Sequence, residues 1–131
     1  MLKLFDPRWL LFVMLLTVAA LPVRTHASTP TVVISEIAWA GASSSASDEW
    51  IELTNVSDTA VDLSGWKLTG AGSSNADLVL PDGAQLESHS TYLIANYEHT
   101  HANSALAGAP SYVTSSLSLP NGGFNLSLYD A

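Results

Sequence analysis

Four groups of residues in this chain have the types and spacing that chemistry could use. Glu98-His99-Thr100-His101, with His89 upstream, offers imidazoles in a His-x-His pattern. On a strand that pattern turns both rings to one side, and neutral imidazole is the commonest protein ligand for transition metals. Asp48, Glu49 and Glu52 offer hard carboxylate oxygens of the kind calcium takes. Ser88-His89-Ser90 places a hydroxyl beside a base, and Trp39, Trp50 and Trp66 could form a platform for sugar rings.

Each group also has a plainer reading. The histidines at 99 and 101 fall in a stretch without strand or helix period, and no fixed third ligand accompanies them, so a solvated loop is expected. The carboxylates lack the Asp-x-Asp-x-Asp-Gly order of a dedicated calcium loop. Glu49 and Glu52 would point to opposite faces of a strand, which makes them strand-start and solvent-facing charges. No Gly-x-Ser-x-Gly elbow holds a serine for nucleophilic attack, so Ser88-His89-Ser90 is expected to be a turn. Gly70-Ala71-Gly72 lacks the lysine and third glycine of a phosphate loop. Tryptophans in β-sandwiches mostly pack; Trp66, next to Gly65, is expected in the core, and Trp50, sharing a face with Glu52, is the best exposed candidate. No catalytic residue, cofactor site or metal site is assigned.

The elements that would position these residues are short and extended. Apolar-alternating runs recur, separated by Gly, Pro, Asn, Asp and Ser clusters, the pattern of a sandwich or barrel. A first strand over 32–39 is apolar on both faces near its ends. A small-residue loop over 41–48 leads to a second strand, 49–55, with Ile51 and Leu53 on one face and Trp50 and Glu52 on the other. Short strands follow at 61–63 and 66–69. A flexible loop over 70–77 precedes 78–80, and Pro81-Asp82-Gly83 supplies a turn. The strand at 92–95 is followed by a long loop over 96–110. Strand-like runs appear at 112–114 and 116–119, Asn121-Gly122-Gly123 marks a hairpin turn, and Phe124, Leu126 and Leu128 alternate after it. No segment after residue 30 carries a helical period longer than two turns. The expected core is Ile34, Ile37, Ile51, Leu53, Leu63, Trp66, Leu68, Leu93 and Leu126.

The first 27 residues read as an export signal. Lys3 and Arg8 make a positive start, Trp9 to Val23 is apolar, and Thr25-His26-Ala27 supplies small residues at the cleavage positions. The apolar run is shorter than the roughly 20 residues of a spanning helix, so no membrane association beyond this segment is expected. The alternative is an uncleaved anchor. Cleavage after Ala27 leaves a single domain over 28–131 that retains 11 of the 12 acidic residues and one lysine of the 4 basic residues, a net charge of −10. That charge disfavours direct binding to nucleic acid and to anionic lipid. The chain has no cysteine, so disulfides, thiolate metal sites and cysteine nucleophiles are excluded.

The order of motifs resembles the lamin tail domain, an immunoglobulin-like sandwich of nuclear lamins and of many exported bacterial proteins. The resemblance rests on Ile34-Ser35-Glu36-Ile37-Ala38-Trp39, Asp48-Glu49-Trp50-Ile51-Glu52-Leu53-Thr54-Asn55, Val61-Asp62-Leu63-Ser64-Gly65-Trp66-Lys67-Leu68, Leu80-Pro81-Asp82-Gly83, and Leu119-Pro120-Asn121-Gly122-Gly123-Phe124-Asn125-Leu126-Ser127-Leu128-Tyr129-Asp130. It spans about residues 32–131. The family pattern continues with a glycine turn and a further strand, whereas this sequence stops at Ala131. The resemblance implies an all-β, two-sheet immunoglobulin-like sandwich; either the sequence is a fragment truncated at its C-terminus, or the last strand is absent and an edge lies open to pairing with another chain. It implies a non-catalytic, secreted or cell-envelope module (periplasm or cell surface) that tethers a protein or envelope component. Two other readings stand beside it: a carbohydrate-binding or cell-surface adhesin module, and an accessory domain of a longer secreted nuclease or phosphatase.

Overall fold

The computed structural model describes residues 29–131. The expected export segment, 1–27, lies outside the described residues. Among the described residues, nine strands and one 3-10 turn at Ser73–Asn75 make up the regular structure. The strands are β1 (Val32–Ala38), β2 (Trp50–Asn55), β3 (Val61–Asp62), β4 (Lys67–Thr69), β5 (Leu78–Val79), β6 (Gln85–Leu86), β7 (Thr91–Ala95), β8 (Tyr112–Val113) and β9 (Ser127–Tyr129). Among the described residues there is no α-helix, as the short β-branched and aromatic runs require.

One layer is a four-stranded sheet in the order β1-β2-β7-β8. β2 fixes its phase cleanly: Ile51, Leu53 and Asn55 are buried, and Trp50, Glu52 and Thr54 are half-exposed. Leu53 and Ile51 lie opposite Tyr92 and Ile94 of β7, so Tyr92 and Ile94 share their buried face. Leu93, expected in the core, lies instead opposite Glu52 on the outer face and is half-buried. β7 is apolar at nearly every position, so its own residues do not reveal which face turns inward.

β1 pairs antiparallel with β2, with Ile34 opposite Leu53 and Glu36 opposite Glu52; Ser35 is an extra residue between them. Such a bulge reverses the in-out phase along the strand. Val32 and Ile34 therefore pack inward before it, and Ile37 shares the face of Ile51 after it. This explains why the strand reads apolar on both faces. Ile37 itself is 37 % exposed rather than core, because β1 is the sheet's edge and Ile37 lies near its end.

The other layer is a bent antiparallel ribbon. Val61 and Asp62 pair with Leu86 and Gln85, and Lys67 and Leu68 pair with Val79 and Leu78. Leu63 N–H donates to the Ala84 carbonyl at 2.8 Å, and Leu80 N–H donates to the Trp66 carbonyl at 2.8 Å, so the ladder continues between the two pieces. Ser64-Gly65 on one strand and Pro81-Asp82-Gly83 on the other mark the bend, where the Ser64 hydroxyl accepts from Gly83 N–H at 2.9 Å. β9 adds to β4 on the side away from β5, with Leu68 opposite Leu128. Leu63, Leu68, Leu78, Leu80, Leu86, Leu117 and Leu119 meet Ile51, Leu53 and Ile94 in one buried cluster. Ile34, Trp66 and Leu126 pack against this cluster while only partly buried.

Two loop expectations are corrected. The segment after β4 is anchored rather than free: Ala71 is fully buried, and its carbonyl accepts from Ser118 N–H at 2.8 Å. At Gly70, with φ of +82°, any Cβ would lie 2.2 Å from the Asn125 carbonyl oxygen, so only glycine permits this approach. The hairpin expected at Asn121-Gly122-Gly123 does not form. β9 pairs with β4, not with the preceding segment. Gly122 and Gly123 are also absent from the residues at positive φ, a conformation that a two-residue hairpin turn needs.

Candidate functional site

Register brings two polar groups together at the start of β2. The ladder pairs Trp50 with Ala95; one step further, Asn96 N–H donates to the Glu49 carbonyl at 3.1 Å. Opposite residues of neighbouring strands share a face with Cβ atoms about 5 Å apart. Glu49 also keeps the inward phase of Ile51 and Leu53. It is thus 6 % exposed, and Asp48 beside it is 2 % exposed, which corrects the expectation of strand-start charges in solvent. Glu49 and Glu52 do point to opposite faces; the inward face continues past the end of the apolar run.

Glu49 Oε2 accepts from Leu119 N–H at 2.9 Å, and no hydrogen bond reaches Oε1 from the described residues. Burial pushes the Glu49 carboxyl above its ordinary value of 4.5, and the Leu119 bond opposes that shift. Asp48 Oδ2 accepts from Ala105 N–H at 2.7 Å. Asn96 Nδ2 donates to the Ser47 carbonyl at 2.9 Å. Asp48 Oδ1 and Asn96 Oδ1 are buried and have no hydrogen-bond partner among the described residues. Glu49, Asn96, Ser47, Ser73, Ser118 and Asn121 help line a polar cavity of about 480 Å³ at this end of the sandwich.

The opposite end differs in chemistry. Thr29, Pro30, Thr31 and Val32, leading into β1, face Leu128, Tyr129 and Asp130 of the β9 region across a groove of about 320 Å³ that Trp66 also lines. Trp66 is therefore partly buried groove wall as well as packing residue, less enclosed than the expected core position.

The remaining candidates do not converge. Glu52 faces outward, where its Oε1 accepts from the Ser35 hydroxyl at 2.8 Å. Asp48, Glu49 and Glu52 thus turn to three different partners. Ser88-His89-Ser90 is a turn, as expected: the Ser88 hydroxyl donates to the Ser57 carbonyl at 3.1 Å, and His89 pairs with the exposed Asp58 at 2.8 Å. His101 stacks on Tyr97 with ring centroids 4.6 Å apart, its Nδ1 accepts from Asn103 N–H at 3.1 Å, and His99 is exposed. Among the described residues no three His, Asp or Glu side chains are grouped to hold a metal. Trp39 is 45 % exposed just past β1, while Trp50 is half-buried between Ala38 and Ala95.

Asn96 and Ser118 carry no motif of their own, and Leu119 enters only as the first residue of the late family motif. Only the pairing of β2 with β7 could have pointed to Asn96, as the residue opposite Glu49. No protein of curated function matches the chain. The family model of the Lamin Tail Domain matches residues 25–131. With the sandwich of strands and the matched span covering most of its length, this chain belongs to the lamin tail domain family.

Proposed function

We propose that this chain is a non-catalytic, exported interaction module that holds a protein or cell-envelope partner by strand addition at β9. The observation that carries this reading is the open side of β9. Among the described residues β9 pairs with β4 alone, and its Leu128 and Tyr129 line a groove together with Trp66 and the segment of Thr29, Pro30, Thr31 and Val32. An added strand gains main-chain hydrogen bonds from such an edge and specificity from side chains set into a neighbouring groove. Tyr129, 55 % exposed, supplies apolar contact at the rim. Export is supported by the basic start, apolar run and small residues of the first 27 positions.

Photo-crosslinking of the full chain in its native cell tests the reading. A crosslinker at Tyr129 should capture a discrete partner, while one at Val79, exposed on the other edge strand of the same layer, should capture none. Equal capture from both edges would refute the proposed site. Sedimentation across a salt series distinguishes a second copy from another partner: the acidic surface opposes self-association less as salt screens it. Hydrolysis of phosphodiesters, esters or peptides is not expected. Turnover lost on changing His99 and His101 together would overturn the non-catalytic reading.

A further inference from the structure

Asn121 is the one asparagine of the sequence that precedes a glycine, and it helps line the cavity that Glu49 also lines. We infer that Asn121 is a self-modifying site, where the Gly122 amide nitrogen closes on the Asn121 side chain and leaves a new carboxylate at the cavity.

The chemistry needs only water. The Gly122 amide gives its proton to hydroxide, its nitrogen bonds to Asn121 Cγ, and the Cγ–Nδ2 bond breaks with release of ammonia. Water then opens the five-membered imide at either carbonyl. Attack at Cγ restores the ordinary backbone as aspartate. Attack at the main-chain carbonyl leaves the chain running through the side chain, as isoaspartate.

The reacting atoms are neighbours in the chain, so the limits are a free amide and freedom to rotate, which glycine grants more than any other residue. Asn121 and Gly122 are both exposed. Gly122 N–H makes no hydrogen bond among the described residues, and a Cβ built there would meet nothing within 4 Å. The competing sites are held. After Asn103, Ser104 N–H donates to the His101 carbonyl at 2.9 Å; after Asn55, Val56 N–H donates to the Thr31 carbonyl at 2.8 Å. Asp82-Gly83 could close the same ring, but Gly83 N–H donates to the Ser64 hydroxyl at 2.9 Å. Asn75, Asn96 and Asn125 precede Ala76, Tyr97 and Leu126, whose Cβ atoms narrow the backbone's range.

The product changes the cavity. No lysine, arginine or histidine lines it, so the new carboxylate joins Glu49 without an opposite charge, and like charges disfavour each other's ionised form. Isoaspartate also lengthens the backbone just beyond Leu119, whose N–H holds Glu49 Oε2 at 2.9 Å.

Peptide mapping of the full chain, aged in mildly alkaline buffer, tests this. The peptide holding Asn121 should gain the mass of one deamidation and split into two chromatographic forms, at a rate proportional to hydroxide. Peptides holding Asn55 and Asn103 should stay unchanged. Gly122→Ala should abolish the modification over the same interval, and the fold tolerates it, because Gly122 is not at positive φ and has room for a Cβ. The aged protein should melt below the fresh one, and aged Gly122→Ala should not. Asn121 intact in the folded chain, while a synthetic peptide of residues 118–125 deamidates, would overturn the site. So would equal modification at Asn55 or Asn103, or an unaltered rate in Gly122→Ala. Equal melting of fresh and aged protein would overturn the link to the cavity.

Discussion

Asn55 and Glu49 lie on the same inward face of one continuous run, at its two ends, and the protein treats them oppositely. Asn55 is fully buried and fully bonded. Its Nδ2 reaches the carbonyls of Thr59 at 2.7 Å, Glu87 at 3.1 Å and Leu86 at 3.2 Å, and its Oδ1 accepts from Ser57 N–H at 2.9 Å and from the Ser57 hydroxyl. The loop after β2 and the turn after β6 are thereby tied to one side chain. At the other end, Asp48 and Glu49 each hold one loop amide, and orphaned oxygens remain on Asp48 and Asn96. Saturated polar groups rigidify, whereas unsaturated buried ones cost stability unless something from solution completes them. The contrast separates a structural knot from a site within one strand.

The largest effect should come from the apolar stretch between them. Leu53→Ala empties a fully buried position and should cost about 2–5 kcal/mol in urea unfolding, without favouring either end. Asn55→Ala should come next, at about 3 kcal/mol, because three carbonyls and the Ser57 amide lose their partner together. Hydrogen exchange should show lost protection confined to the region of Ser57, Thr59 and Glu87. If Asn55→Ala costs under 0.5 kcal/mol, the knot is ornamental and the comparison fails. Trp66→Ala should cost about 2 kcal/mol, below the roughly 3–5 kcal/mol of an enclosed tryptophan, since Trp66 is partly open to its groove.

The smallest effect sharpens the comparison through pH. Burial raises the Glu49 pKa above 4.5 in the folded protein. Its contribution to stability is therefore fully present below 4.5 and is lost as pH rises through the folded pKa. Asp62 behaves in reverse: hydrogen bonds from the Ser64 hydroxyl and amide hold its carboxyl below 3.8, so its contribution is present above 3.8 and lost as pH falls through the lower folded pKa. The two windows do not overlap. Glu49→Gln should flatten the stability decline above 4.5 and leave the acid side unchanged, as read from chemical denaturation at a series of pH values.

Fold class and the phase of β2 were legible because polar and apolar residues alternate there without ambiguity. The outward position of Leu93 is not legible, because Tyr92-Leu93-Ile94-Ala95 offers no polar residue to mark the outer face and only pairing with β2 decides it. Ile37 is exposed because it lies near the end of the edge strand β1, a position that its own apolar character does not reveal. At the candidate site, residue type misled: a glutamate at a strand start reads as solvent-facing, yet strict alternation from Ile51 places it inward. Asn96 was invisible because its role arises from register with a strand far away in the chain.

The pairing of β4 with β9 has a kinetic consequence. Thr69 and Ser127, opposite each other in that ladder, are separated by 58 positions in the chain. Closing so long a loop spends conformational freedom before any contact repays it, which slows folding in chains dominated by distant pairings. β4 can meet β5 early through the short connection between them, but its second neighbour must come from far downstream. Until β9 docks, Leu68 and Trp66 lack the cover that Leu128 gives, and no disulfide holds the ends near one another. Folding of this domain is therefore expected on the millisecond-to-second scale, with β9 the last strand to settle and the first to detach.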